Sequence, residues 1–356
     1  MCASLEEMIM IKKLTLGNYP TPIFDISHVV ATQSPSKKLW IKREDYSGIE
    51  LSGNKTRKLQ YALAEAKAMG ADVVITAGAI QSNHCRATVA ACRSIGIKPH
   101  IMLFGEAGKA EGGNLLIDTL LGSEITYVNP QEYANYLSIM EGIAFDYKQM
   151  GLKAYLIPIG ASNGIGNFGY VDTYSEILQW CEQACEQLDA IVCGVGSGGT
   201  YAGLWLGQYL LKGEAAFKDT KIVGISVSAD AQTFKAKVLA ILEETLAYRD
   251  LLLALNPDFS AEQMFKVANE TITIVDGYQG EGYAIPYEAC DRRIKWFAAQ
   301  TGIVLDSVYT GKAFHGMMCT LESELPKAIH QLGNSVLFIH TGGLFGMFGQ
   351  KSRGGA

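Results

Sequence analysis

The stretch Ala190–Leu211, AIVCGVGSGGTYAGLWLGQYLL, decides how the chain is to be read. It carries no charge and is long enough to cross a bilayer as one helix. Its six glycines argue otherwise. Four of them cluster with Ser197 and Thr200 in the middle, between a β-branched run and a longer apolar one. Such a cluster is a turn. The stretch therefore divides into a buried strand, a loop and a helix, a unit of a parallel α/β sheet and not of a membrane protein.

The same alternation runs through the chain. Short apolar, β-branched runs predict strands over 38–42, 72–78, 100–104, 154–158, 190–195, 221–227 and 335–340. Helical patterns lie between them. In the first, Leu59, Leu63, Ala66 and Met69 share a face, and Gly70 is placed to stop it. Others cover 84–95, 131–150, 172–187, 199–212, 260–269, 286–300 and 311–323. This pattern implies α/β architecture with open, twisted parallel sheets covered by helices. A length of 356 residues allows about two domains. No Pro/Ser-rich linker separates them, so one domain is inserted in the other or the two share an extensive interface.

Composition narrows the function. The net charge is −6 and no basic run accumulates, which argues against nucleic acid as a partner and leaves small molecules. The eight cysteines form no C-x-x-C pair and no zinc spacing, so no metal is expected. Reduced thiols in a cytoplasmic protein are the plain reading. The N-terminal MCASLEEMIMIKK has acids where a signal peptide needs a basic region.

Three constellations sit where parallel sheets bind ligands, beyond the carboxyl ends of strands. In CGVGSGGTYAG (193–203), glycines bring backbone N–H groups and a helix N-terminus close to an anion, most naturally a phosphate. Gly194, Gly196 and Gly199 also satisfy G-x-G-x-x-G. The next strand ends near Ser228, late and without the acid a dinucleotide site requires. No Walker pattern is present, and a turn without a ligand stays open. In AGAIQSNHCRATVAA (77–91), Gln81, Ser82, Asn83 and His84 crowd the start of a helix. Simple capping and binding of a carboxylate are both open readings. In LSGNKTRKLQ (51–60), Lys55 follows Gly53 and Asn54 in a turn, with Arg57 and Lys58 close by. Most lysines are merely solvated. Nearby cations and burial, however, lower an amine's pKa, and a Schiff-base lysine needs that. A phosphate loop together with such a lysine points to pyridoxal 5′-phosphate. Thr341 ends the strand in IHTGGLFG. Tyr283 and Tyr309 are either packing aromatics or site residues, and His315 and His340 have no metal spacing.

LSGNKTRKL, TAGAIQSNHCRAT, PIGASNGIGNFGY, GVGSGGTYAGL, LDSVYTGKAFHGM and FIHTGG together resemble the D-cysteine desulfhydrase and 1-aminocyclopropane-1-carboxylate deaminase group. These are pyridoxal-phosphate enzymes of the tryptophan synthase β-like type, fold type II. The resemblance implies that Lys55 carries the cofactor and that Gly196, Ser197, Gly198, Gly199 and Thr200 hold its phosphate. It implies that Asn83 bonds the phenolic oxygen, that Thr341 approaches the pyridine nitrogen, and that Ser82, Asn83 and His84 receive the substrate carboxylate. Tyr283 and Tyr309 would flank a small amino-acid substrate. A smaller domain over 57–170 would be inserted in a larger one made of 1–56 and 171–356, and the protein would be a homodimer. His84, Thr310 and Thr341 resemble the desulfhydrase branch, where the deaminase has glutamine, glutamate and leucine. The expected reaction is β-elimination of D-cysteine to pyruvate, hydrogen sulfide and ammonia. Ring opening of aminocyclopropane carboxylate and L-cysteate sulfo-lysis are the alternatives. A non-catalytic amino-acid binder or a dinucleotide oxidoreductase would be other classes. Lys55 and Tyr309 are candidates for the base, with Tyr283 third and Ser82 beside them. A tyrosine would need a lowered pKa to serve near neutrality.

Overall fold

The structure is a computed structural model that describes residues 13–31, 36–108, 112–322 and 332–349. Its strands are β1 (Ile23–Asp25), β2 (Lys38–Arg43), β3 (Val73–Ala79), β4 (Lys98–Phe104), β5 (Glu124–Val128), β6 (Ala154–Leu156), β7 (Ala190–Val195), β8 (Lys221–Ser226), β9 (Thr273–Val275) and β10 (Ser335–His340). They form two sheets. One is six-stranded in the order β1-β2-β10-β7-β8-β9, and the other is four-stranded in the order β5-β4-β3-β6. Every pairing is parallel except β1 with β2.

The central strands read as continuous apolar runs because both of their faces are covered. Leu337, Phe338 and Ile339 of β10 are fully buried, as are Val73, Val74 and Ile75 of β3. Covering helices include α1 (Asn54–Ala68), α2 (Asn83–Ser94), α3 (Gly113–Leu120), α4 (Tyr136–Gln149), α5 (Gly164–Ala184) and α6 (Gly199–Lys212). Leu59 and Leu63 of α1, Phe168 of α5 and Trp205 of α6 share one core. Helices α5 and α6 pack closely enough that a Cβ at Gly203 would lie 2.5 Å from the Asn167 carbonyl oxygen. The stretch 190–211 is β7, a loop and α6. Among the described residues no helix is long and apolar enough to cross a membrane.

All seven expected strands are present. β1, β5 and β9 were not anticipated. They are edge strands, two of them only three residues long, and β5 has no buried residue, so none carries a continuous apolar signal. The helix Ala231–Glu244 was also missed, although Phe234, Val238, Ile241 and Leu242 bury one face at helical spacing. Helix α5 begins eight residues before the expected 172, because the Asn163 side chain accepts from the Gly166 N–H at 3.0 Å and caps it there. The expected helix 131–150 is instead a 3₁₀ turn, Pro130–Asn135, followed by α4. The N-terminal segment read for targeting lies outside the described residues, apart from Lys13.

A buried ion-pair network joins β2, α1 and α5. Arg57 donates to Glu44 through Nε at 2.5 Å and to Glu176 through both terminal nitrogens at 2.8 Å, and Lys42 meets Glu176 at 2.9 Å. Glu44 is fully buried, and the Arg57 guanidinium is the first cation holding its carboxyl below the usual range against burial. Arg57→Leu leaves that carboxylate without its main partner. It is expected to lower the unfolding free energy by about 3–5 kcal/mol, read from urea denaturation.

Candidate active site

A cavity of about 530 Å³ opens at the carboxyl ends of the central strands. Lys55, Asn83, Gly196, Ser197, Gly198, Thr200, Tyr283, Tyr309, Thr341, Ser82 and His84 all line it. Gly199 is the remaining member of the expected set. It is buried as the first residue of α6, with its backbone in the same loop.

Lys55 is placed by a turn that only glycine satisfies. Gly53 has φ +93°, and a Cβ there would sit 2.8 Å from the Thr341 carbonyl oxygen, which accepts from the Asn54 N–H at 3.1 Å. The Asn54 side chain donates to Thr200 Oγ1 at 2.9 Å, tying the start of α1 to the start of α6. Lys55 Nζ donates to Asn54 Oδ1 at 3.0 Å and lies 5.9 Å from the centre of the Tyr309 ring. Desolvation lowers its pKa to about 8, with Asp306 opposing and Arg86 assisting.

Helical geometry separates the two cations that follow. Lys58 is three residues on from Lys55 and shares its face, whereas Arg57 does not. Arg57 is committed to Glu44 and Glu176, so it takes no part in setting the Lys55 pKa. Lys58 is fully buried, and its Nζ reaches the Gly160 carbonyl at 3.2 Å and Ser162 Oγ at 3.0 Å. A Cβ on Gly199 would lie 2.8 Å from that Nζ, so the amine abuts the glycine loop. Burial holds its pKa far below the lysine range, and the charge of Lys55 adds to the effect. Ser162 Oγ bonds Ser197 Oγ at 2.7 Å. Gly198 has φ +90°, and a Cβ on Gly196 would lie 3.1 Å from the Tyr309 ring. A helix N-terminus, a glycine cradle and a buried amine that a phosphate would protonate together fit a phosphate.

At the start of α2, Ser82 Oγ accepts from the Cys85 N–H at 3.1 Å, so it caps the helix while still lining the cavity. The Asn83 amide has a fixed orientation. Arg86 can only donate, and its Nε bonds Asn114 Oδ1 at 2.9 Å; Asn114 Nδ2 therefore donates to Asn83 Oδ1 at 3.0 Å. This leaves Asn83 Nδ2 as the donor available at the cavity, which suits an anionic ring oxygen. His84 is buried. Thr76 Oγ1 gives its proton to the Ile157 carbonyl at 2.7 Å and so accepts from His84 Nε2 at 2.8 Å. His84 Nδ1 is then an unprotonated, buried acceptor without a partner. Burial, Lys55 and Lys58 all press the imidazole towards its neutral form.

The hydroxyls of Tyr283 and Tyr309 hydrogen-bond each other, with ring centres 5.9 Å apart. Burial raises the pKa of both, and Tyr309 is driven well above the tyrosine range. The lowering that a tyrosine base would need is absent, because burial raises both phenols and the charge of Asp306 raises them further. Thr310 is buried away from the cavity lining, exchanging hydrogen bonds with Asp306. Phe104, Pro130, Tyr133, Ser228 and Lys237 also line the cavity, and none was singled out from the sequence. They lie outside the glycine and polar clusters that carry a local signal.

The residues at this cavity fit a group with a phosphate, an anionic ring oxygen and a carbonyl that an amine can attack. The profile of the pyridoxal-phosphate dependent enzyme family matches residues 14–342. A Thermotoga maritima protein provisionally named 1-aminocyclopropane-1-carboxylate deaminase is 37% identical over 344 residues, covering 96% of this chain and 99% of its own. The mitochondrial bifunctional D-cysteine desulfhydrase/1-aminocyclopropane-1-carboxylate deaminase of Arabidopsis thaliana is 34% identical over 343 residues, covering 94% of this chain and 79% of its own. A crystal structure described as an ACC deaminase homologue superposes with a TM-score of 0.81 at 32% identity, covering 98% of this chain and 97% of its own. The chain belongs to the pyridoxal-phosphate dependent enzymes, in the tryptophan synthase β-like fold, and pyridoxal phosphate is its cofactor.

Proposed function

We propose that the protein is a carbon–sulfur lyase that converts D-cysteine and water to pyruvate, hydrogen sulfide and ammonia. The observation that carries this reading is that the strand-end side chain lining the cavity is that of Thr341 and not a carboxylate; Asp306 lines an adjoining cavity that shares Asn83, Tyr283 and Tyr309. Asp306, whose charge reaches Lys55, is buried and takes bonds from the Val308, Tyr309 and Thr310 N–H groups at 2.8–2.9 Å. The strand-end group facing the cavity is the hydroxyl-bearing Thr341. A hydroxyl does not hold a proton on a ring nitrogen as a carboxylate does. Such a site suits substrates whose β-substituent leaves readily, as a thiolate does, better than ring opening. A glutamate at position 310 would add a second buried carboxylate beside Asp306.

When bound, the cofactor supplies an electron sink for the bond broken at the substrate α-carbon. In this reading the loop 196–200 and Lys58 hold its phosphate, Asn83 Nδ2 donates to its ring oxygen, and Thr341 lies at the ring nitrogen. The Ser82 hydroxyl and the backbone N–H groups of Asn83 and His84 at the start of α2 bind the substrate carboxylate, since the His84 ring turns only an acceptor towards the cavity. Lys55 Nζ takes the α-proton, because its pKa of about 8 leaves neutral amine near physiological pH. Tyr283 and Tyr309, held protonated, act as donors towards the substrate and its departing sulfur. Residues 57–170 are taken as the smaller domain carrying the four-stranded sheet, and a cytoplasmic homodimer accompanies the reading. The Arabidopsis relative is named for both activities, so ring opening is the second reading.

Pyruvate release from D-cysteine, L-cysteine and L-cysteate, measured beside 2-oxobutanoate release from aminocyclopropane carboxylate, separates them. D-cysteine is expected to be turned over fastest. Release of 2-oxobutanoate alone would overturn the assignment.

A further inference from the structure

The loop 276–286, between β9 and the helix Glu288–Thr301, delivers Tyr283 to the cavity. It has no buried residue of its own. Gly277, Gly280 and Ala284 have positive φ, so much of its backbone follows neither a helical nor a strand ladder. A segment with no buried apolar anchor opens easily unless polar ties hold it.

Asp276 accepts from the Ala231 N–H at 2.7 Å and the Tyr278 carbonyl from the Tyr287 hydroxyl at 2.8 Å; nearer Tyr283, the tie is Lys312. Its side chain is fully buried, and its Nζ donates to the Gln279 carbonyl at 2.7 Å and the Gly282 carbonyl at 2.8 Å. Gly282 immediately precedes Tyr283. Lys312 lies on the helix Thr310–Glu322, one turn from Tyr309. The same helix receives the loop at Gly316, where a Cβ would lie 2.8 Å from the Tyr278 ring. Both tyrosines of the hydrogen-bonded pair are thus indexed to one helix. A buried lysine that spends its donors on two loop carbonyls is costly unless the placement matters.

We infer that Lys312 is a positioning residue whose ammonium clamps the 276–286 loop and so sets Tyr283 against Tyr309 over the cavity. The inference rests on the reading that Tyr283 acts on the substrate.

The test is Lys312→Met, which fills the same space without donors, with Lys312→Gln as a milder second variant should the first not fold. Hydrogen–deuterium exchange of cofactor-loaded enzyme is expected to rise about tenfold or more over 277–286 and to stay unchanged in α1 and α2. With whichever amino acid the enzyme turns over, kcat is expected to fall about tenfold. Adding Tyr283→Phe to Lys312→Met should lower kcat less than it does in the unaltered enzyme. Unchanged loop exchange, or losses that multiply in full, would overturn the clamp. The exchange result stands apart from substrate identity, so failure of the D-cysteine assignment would not be confused with failure of the clamp.

Discussion

Lys55→Ala is expected to reduce pyruvate release by about four orders of magnitude and to prevent borohydride from fixing the cofactor to the chain. Two functions meet at Lys55 Nζ in the proposed mechanism: covalent capture of the cofactor and removal of the α-proton. Only the neutral amine does either. With a pKa of about 8, roughly a tenth of the amine is neutral at pH 7, far more than for a solvated lysine. The cause is desolvation, partly opposed by Asp306. The sign of the pH dependence follows. Below about pH 8 the protonated form dominates and capture slows; as pH rises through that value capture accelerates and then levels off. Stopped-flow mixing of cofactor-free protein with pyridoxal phosphate between about pH 6 and 10 measures this directly. A variant that still released pyruvate and still took the borohydride label would remove Lys55 from the mechanism.

Lys58→Met is expected to change cofactor affinity and protein stability in opposite directions. In the cofactor-free protein Lys58 Nζ is fully buried beside a carbonyl and a hydroxyl, and burial and the charge of Lys55 press it towards the neutral amine. An apolar side chain of similar length relieves that burial, so the unfolding free energy without cofactor should rise by about 1–3 kcal/mol. The same change removes a charge-assisted bond to a phosphate in the 196–200 loop. A bond of that kind contributes about 1.5–3 kcal/mol, so affinity should fall about ten- to a hundredfold. Urea denaturation without cofactor and equilibrium dialysis with it read the two signs separately. Proton uptake should also disappear. Burial and Lys55 hold Lys58 well below its ordinary pKa, and a phosphate dianion would raise it again, so cofactor binding should draw a proton onto Nζ. Calorimetry in two buffers of different ionisation enthalpy would report that uptake in the unaltered protein and its loss in the variant. Unchanged affinity would show that Lys58 does not face the phosphate.

The fold was legible wherever strands are central. AIVCGV and SVLFIH are apolar throughout because helices cover both sides, and that signal needs no tertiary knowledge. EITYV of β5 lies at a sheet edge with all its residues part-exposed or exposed, so its apolar content is diluted. The site was legible where polar residues cluster on glycine turns. It was not legible where a side chain's direction decides. Arg57 and Lys58 are adjacent cations in the sequence, yet one serves Glu44 and the other the glycine loop. Their spacings from Lys55 on a 3.6-residue helix would have separated them. The raised pKa of Tyr309 depends on how distant segments enclose it, which local sequence does not encode.

The order β1-β2-β10-β7-β8-β9 bears on how the protein is made. Among the described residues β2, which leads into the Lys55 turn, lies between β1 and β10, and β10 is the last strand. The Thr341 carbonyl that receives the Asn54 N–H follows directly after it. A nascent chain emerging from the ribosome therefore holds the glycine loop and its helix well before it can seat Lys55 beside them. The four-stranded sheet, built wholly from residues 73–156, has every strand it needs much earlier. Until β10 is made, the Lys55 turn lacks the Thr341 carbonyl and β2 lacks its parallel neighbour, so that corner of the cavity is completed late in synthesis.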